Sequence, residues 1–222
     1  MLIEPIGPAG EAIFHSRQHR LPRRTLASPS SATVQLMEPD AATAPFPAGS
    51  VVLITGIMGA GKSTVAQMLA ERLPKAAHVR GDAFRRMIVS GRAEMVPAAD
   101  EEAIAQLQLR YDLGAVVADG YARAGFTAVY QDIALGDDLA RVTQRIRARP
   151  LFAVVLAPRP DAVVRRAGAR TKPSGYGSWT VEALDLMLRQ TPRIGLWLDT
   201  SEQTGPETVE EILRRAEDAR VR

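Results

Sequence analysis

The residues best suited to chemistry in this sequence are Gly56-Ile57-Met58-Gly59-Ala60-Gly61-Lys62-Ser63-Thr64, directly after the apolar run Val51-Val52-Leu53-Ile54-Thr55. Their spacing is G-x-x-x-x-G-K-[ST]. Gly56, Gly59 and Gly61, with the small Ala60 among them, let the backbone curl so that successive N–H groups point at one anion. A helix starting here adds the partial positive charge of its N-terminus. In such a loop Lys62 reaches the β and γ phosphates of a nucleoside triphosphate, Ser63 ligates Mg²⁺ and Thr64 adds a phosphate contact. ATP is the expected donor, with GTP as the alternative.

A triphosphate in this loop needs somewhere to send its γ phosphate. His78-Val79-Arg80-Gly81-Asp82-Ala83-Phe84-Arg85-Arg86 puts Asp82 just past the carboxyl end of the next strand, on the sheet edge that carries the phosphate loop, with Arg85 one helical turn on. In phosphoryl transfer to a hydroxyl, a carboxylate near the γ phosphate orients the nucleophile and accepts its proton. Asp82 is the candidate general base, and with Arg85 it belongs to the acceptor side. An aspartate at this point also suits the N-cap of the helix expected from Ala83, a role that does not exclude catalysis.

Two further groups of residues bear on the same chemistry. Over residues 159–172 a helix brings Arg159, Arg166 and Arg170 onto one face, where arginines can neutralise charge on the transferring phosphoryl group. Pro173-Ser174-Gly175-Tyr176-Gly177-Ser178 then reads as a hinge, making residues 159–180 an arginine-bearing lid. Tyr176 and Trp179 either stack on a substrate or anchor this lid. Thr127-Ala128-Val129-Tyr130-Gln131-Asp132 ends an apolar strand in two polar residues. Asp132 there either holds Mg²⁺ through water or, with Gln131, faces the acceptor.

The elements that must position these groups alternate from residue 50 onward. Apolar runs predict strands at Val51–Thr55, Ala77–Arg80, Thr127–Tyr130, Phe152–Leu156 and Ile194–Leu198. Helical periodicity and caps predict helices at Gly61–Leu73, Ala83–Val89, Asp100–Ala124, Asp137–Ala148, Pro160–Arg170, Val181–Arg189 and Pro206–Arg220. The acidic run Asp100-Glu101-Glu102 opens its helix with charge that suits the helix dipole. Strand after helix after strand gives an α/β three-layer sandwich: five parallel strands, right-handed crossovers, and ligands at the carboxyl ends of the strands.

Composition narrows the function further. A formal charge of +3, from 28 Lys and Arg against 25 Asp and Glu, is too small to argue for nucleic acid or a membrane surface. With 5% aromatic residues, a base-stacking groove for nucleic-acid ends is disfavoured. The absence of cysteine excludes disulfides, thiol catalysis and thiolate metal sites, and His15, His19 and His78 have no zinc-like spacing. No apolar run approaches the roughly 20 residues needed to span a bilayer, so a cytoplasmic protein is expected. Residues 1–49, rich in Pro, Ser, Ala and Arg, read as a flexible extension of the 50–222 domain. Arg17, Arg20, Arg23 and Arg24 without an acid over residues 12–37 leave a targeting peptide open, and a biological start at Met37 is the simpler alternative.

The GIMGAGKST loop, the Asp82-x-x-Arg85 element and the arginine-bearing lid together resemble the small P-loop kinases grouped around chloramphenicol phosphotransferase, over roughly residues 50–220. The stretch GLWLDTSEQTGPETVEEIL resembles their last strand, nucleotide-side loop and closing helix. Zeta-toxin kinases, which phosphorylate a nucleotide sugar, are similar around the phosphate loop and Asp82. The resemblance implies a nucleoside- or shikimate-kinase-like fold and a monomer or homodimer. The implied activity moves the γ phosphate of ATP, with Mg²⁺, onto a hydroxyl of a small molecule, often an antibiotic. By the same resemblance, Lys62 and Ser63 match the phosphate and magnesium residues, Asp82 the base, and Arg166 with Arg170 the lid arginines. A P-loop ATPase that hydrolyses rather than transfers is the rival, as is a nucleoside, metabolite or nucleotide-sugar acceptor.

Overall fold

The computed structural model describes residues 45–168 and 178–222. Its elements run β1 (Val51–Gly56), α1 (Lys62–Arg72), β2 (Ala76–Arg80), α2 (Gly81–Arg86), α3 (Glu101–Arg123), β3 (Thr127–Gln131) and α4 (Asp137–Arg145). They continue with β4 (Leu151–Leu156), α5 (Pro160–Gly168), α6 (Val181–Arg189), β5 (Leu196–Leu198), α7 (Gly205–Arg214) and a closing 3₁₀ turn, Ala216–Ala219. The strands form one all-parallel sheet in the order β2-β3-β1-β4-β5. Every residue of β1, β3 and β4 is buried, as the central strands of a parallel sheet must be when helices cover both faces.

The chain leaves β1 for β2 on one side and afterwards returns through β3 to β4 and β5 on the other. Right-handed crossovers therefore put α1 on one face with α7, and α3 and α4 on the opposite face. The reversal occurs around β1, so the carboxyl end of β1 opens into a crevice between diverging connections. The core extends upstream of β1 to Phe46, which is buried edge-on to Phe152 with ring centroids 4.9 Å apart.

Several boundaries differ from the sequence expectation, each for a tertiary reason. Helix α4 stops at Arg145 instead of Ala148, because the buried Asp119 carboxylate accepts from the backbone N–H groups of Arg147 (3.1 Å) and Ala148 (2.9 Å). Helix α7 stops at Arg214 instead of Arg220. Beyond it Arg220 forms a bridge to Phe152, and Val221 N–H donates to Leu151 O at 2.9 Å, so the strand claims the tail. Helix α2 starts at Gly81 and ends at Arg86 instead of spanning Ala83–Val89.

Helix α3 lies close against β3. A Cβ built on Gly114 would sit 2.3 Å from the Tyr130 hydroxyl oxygen and 2.4 Å from the nearest atom of its ring. Both the ring and the helix backbone are held inside the core, so neither can withdraw cheaply. Gly114→Ala is expected to destabilise the domain by about 1–3 kcal/mol through overpacking. Urea unfolding measures this, and an unchanged midpoint would show that the contact is not tight.

Candidate functional site

The loop between β1 and α1 has the form its glycines allow. Gly59 and Gly61 sit at φ 82° and 93°, in the left-handed region where a side chain is strained. Gly61 is the N-cap of α1, so the helix opens directly from the curled loop. Lys62 is nearly buried, and its ammonium donates to the Ile57 carbonyl at 2.8 Å, across the loop. Ile57 and Ala60 are buried, and Ala60 N–H donates to Ile57 O at 3.2 Å.

The Ser63 hydroxyl donates to Oε1 of the buried Gln131 at 3.1 Å, which ties the start of α1 to the end of β3. Gln131 therefore occupies the strand end beside the candidate magnesium residue, and its neighbour Asp132 does something else. Asp132 turns into the protein, its side chain 1% exposed, and accepts a two-pronged ion pair from Arg110 of α3, with Nε at 3.0 Å. The Tyr130 hydroxyl (3.1 Å) and the Ile133 N–H (2.7 Å) donate to the same carboxylate. Burial is the largest single influence on the Arg110 pKa and lowers it, but the charge and hydrogen bond of Asp132, with smaller contributions from Tyr111 and Tyr130, together leave it raised. Burial, with Asp132 next in importance, pushes the Tyr111 and Tyr130 hydroxyls upward, so both stay protonated donors. Neither Gln131 nor Asp132 borders the cavity described below. Their side chains are engaged by Ser63 and Arg110 in this structure rather than turned toward that cavity.

Beside the phosphate loop lies a cavity of about 500 Å³. Met58 of the loop, Asp82 and Arg85 of α2, Arg110 and Tyr111 of α3, and Trp179 ahead of α6 all contribute to its wall. Much of the remaining lining is aliphatic: Val96, Leu107, Ile133, Leu135, Leu184 and Met187. Asp82 is not the cap of α2; Arg80 occupies that position and no side chain caps the helix. The Asp82 carboxylate is 41% exposed and is flanked by Arg86, which donates to it, and by Arg80 at 3.6 Å. Arg85 pairs with Glu94 at 2.5 Å. Trp179 Nε1 donates to Met95 O at 2.9 Å, joining the far end of the expected lid to the α2–α3 connection.

Gly81 sits hard against this arrangement, since a Cβ there would lie 1.9 Å from Oδ2 of Asp132. The sequence pointed to the stretch Ser90–Asp112 as pocket-forming but singled out no residue in it, so Arg110 and Tyr111 were missed. The available signal was Arg110-Tyr111 on the inner face of a long helix, but nothing local said which strand end that face would meet.

On the other side of the loop, Arg159, just ahead of α5, and Arg166 within it meet the β5–α7 connection. Arg166 donates to the carbonyls of Thr200 and Gln203, the latter at 3.2 Å. Arg159 forms ion pairs with Asp199 at 3.3 Å and Glu202 at 2.5 Å. The hydroxyl and N–H of Ser201 hold the Asp199 carboxyl below its usual range. Arg159 and Arg166 share a face as the spacing predicted, and that face meets the 199–203 loop. Arg170 and Tyr176 lie outside the described residues. Among the described residues no group of three or more His, Asp or Glu side chains gathers that could hold a metal ion.

A family model described as AAA domain matches residues 51–194, well over half of the 222 residues. A sugar kinase from Janibacter sp. HTCC2649 is similar in structure, at 20% identity and a TM-score of 0.56, covering 78% of this chain and 96% of its own. The APS kinase of Mycobacterium tuberculosis, solved with AMPPNP and APS, is similar at 21% identity and a TM-score of 0.55, covering 77% of this chain and 99% of its own. A gluconokinase from Sinorhizobium meliloti 1021 is similar at 21% identity and a TM-score of 0.52, covering 76% of this chain and 92% of its own. No curated protein matches the sequence significantly. The matched stretch contains the phosphate loop, four of the five strands and most of the cavity wall: the chain belongs to the AAA domain family and has the α/β fold of a P-loop kinase.

Proposed function

We propose that this protein is an ATP- and Mg²⁺-dependent kinase that transfers the γ phosphate to a hydroxyl of a small, neutral, largely apolar molecule. The observation that carries the proposal is the shared cavity: a phosphate loop and a carboxylate, Asp82, bound one pocket of about 500 Å³, the size of a small-molecule site. A hydrolase needs only a water beside the phosphate, whereas this room suits an organic acceptor. The protein would act in the cytoplasm, where ATP is abundant.

In this reading the backbone N–H groups of residues 56–62 cradle the phosphates. Lys62 leaves the Ile57 carbonyl to meet the β and γ phosphates. Ser63, with the phosphates themselves, would hold magnesium; its hydroxyl and the Gln131 amide oxygen are neutral oxygen donors of the kind this cation accepts. A magnesium ion held there would supply positive charge to offset that of the phosphates. Asp82 accepts the proton of the acceptor hydroxyl as its oxygen attacks phosphorus and the bond to the β-phosphate oxygen breaks, leaving ADP. The Arg86 contact to Asp82 must loosen for the hydroxyl to take its place. Arg166, seated on the 200–203 carbonyls, serves the nucleotide side, and Arg170 is the lid arginine for the transferring group.

The charge pattern in the cavity supports a neutral acceptor. Arg85 and Arg110 face it, yet each keeps a carboxylate partner, in Glu94 and Asp132, and only the Arg86 contact to Asp82 has to loosen. A sulfate, phosphate or sugar acid would have to displace one of these acids. An aromatic or aliphatic body carrying a hydroxyl, as in many antibiotics, matches Tyr111, Trp179 and the aliphatic lining without that cost.

Lys62→Ala is expected to abolish phosphoryl transfer and weaken ATP binding in calorimetry; full activity would refute the phosphate assignment. Asp82→Asn is expected to reduce turnover by about 10² or more while ATP affinity stays nearly intact. An equal fall in thermal stability and ATP affinity would reduce Asp82 to a structural acid. Incubation with Mg-ATP and a panel of hydroxylated antibiotics, nucleosides, sugars, sugar acids and nucleotide sugars, read by mass spectrometry, tests the acceptor. A phosphate adduct on a neutral apolar hydroxy compound is expected. An adduct on an anionic one overturns the neutral reading, and ADP formation with no acceptor overturns the kinase.

A further inference from the structure

Helix α3 carries two faces with different tasks. Its inner face, with Leu107, Arg110 and Tyr111, walls the cavity. Its outer face is apolar where solvent would call for charge: Leu109 is 49% exposed, Leu113 39% and Val116 64%. Ala105, Leu109, Leu113, Val116 and Gly120 recur at intervals of three or four residues, a seam along the solvent side of a helix spanning Glu101–Arg123. Most of the other large apolar side chains left exposed, Met87, Val89 and Ile104 among them, belong to the same stretch of chain. Exposed apolar side chains aligned along one face of a helix suit an interaction site.

The seam is complementary to itself. A two-fold axis passing between Asp112 and Leu113 runs two α3 helices antiparallel. It sets Leu109 against Val116 of the second copy and Ala105 against its Gly120, where small residues let the helices approach. The same operation brings Glu102, at one end of the seam, to Arg123 of the second copy at the other. Glu102 makes no ion pair among the described residues, its contact being a hydrogen bond from Gln106 at 2.7 Å, and no ion pair holds Arg123 there either. Asp112, the charge nearest the axis, is drawn off the seam by Arg145 of α4 at 2.8 Å. One heptad-like line thus ends in an acid at its start and a base at its finish, as an antiparallel homodimer requires.

We infer that the protein forms a two-fold homodimer through the outer face of α3, with Glu102 paired to Arg123 across the axis at each end. Each catalytic cavity is then walled by a helix that the second copy buttresses from behind.

Sedimentation equilibrium on the full chain, from about 10 to about 100 µM, tests this in the range where modest interfaces assemble. The expected mass rises toward twice the 24.0 kDa of one chain. Leu109→Glu is expected to hold the protein monomeric with unchanged circular dichroism and thermal midpoint. Glu102→Arg is expected to weaken dimerisation about tenfold, by setting like charges opposite each other, and adding Arg123→Glu to restore it. A wild-type chain that stays monomeric throughout overturns the proposal, including the case where removal of residues 1–44 is what releases a dimer. A dimer untouched by Leu109→Glu overturns the face, and a double variant no tighter than Glu102→Arg overturns the antiparallel register.

Discussion

One buried carboxylate holds the cavity wall of this molecule together. Asp132 sits at the end of β3 with almost no solvent contact and collects Arg110 from α3, the Tyr130 hydroxyl from its own strand and the Ile133 N–H. Its Oδ2 also lies where any side chain on Gly81 would have to go, so α2 can start only with a glycine at that point. A charge taken this far from water is tolerable only when partners occupy its lone pairs, and removing one partner of such a pair costs about 3–5 kcal/mol. Three elements that share no local sequence, α2, β3 and α3, are therefore locked to one another through a single side chain. The candidate base Asp82 stands one residue beyond that lock.

The reversal of strand order around β1 decides which chemistry the lock can serve. Because β3 and β4 flank β1, the phosphate loop opens where the chain's connections diverge, and the cavity held by α2 and α3 lies beside it. The other side of the loop is built by a separate part of the chain. The 199–203 connection after β5 is pinned by Arg159, just ahead of α5, and by Arg166 within it, and its own Asp199 is engaged by Ser201. The cavity wall and the 199–203 connection thus have different supports on either side of the loop, an arrangement that lets this fold vary one wall without disturbing the phosphate loop.

Arginine does three separate tasks in this structure, and sequence position alone did not distinguish them. Arg110 neutralises a buried acid, Arg85 and Arg86 pair with acids on the cavity rim, and Arg159 and Arg166 brace a loop. Rim pairs of this kind contribute little to stability in solvent, but they remove free positive charge from the pocket. The small net charge of the whole chain is reproduced locally, and the cavity presents apolar surface between compensated ions.

What the sequence by itself determined was everything encoded by local pattern. The glycine spacing and the strand before it defined the phosphate loop, and apolar runs of strand length gave all five strands to within a residue or two. The acidic run Asp100-Glu101-Glu102 marked a helix start, where Asp100 accepts from Ala103 N–H at 2.8 Å. Asp82 was legible because it follows a strand whose end must share an edge with the loop. Tertiary structure alone decided the ends of α4 and α7, where Asp119 and the strand β4 take over backbone groups that helix propensity would have kept. It alone turned Asp132 inward to Arg110, 22 residues earlier in the chain, and gave the Ser63 side of β3 to Gln131. Burial and ion pairing depend on which surfaces meet, and a linear pattern records periodicity and propensity but not the partner on the other side of the contact.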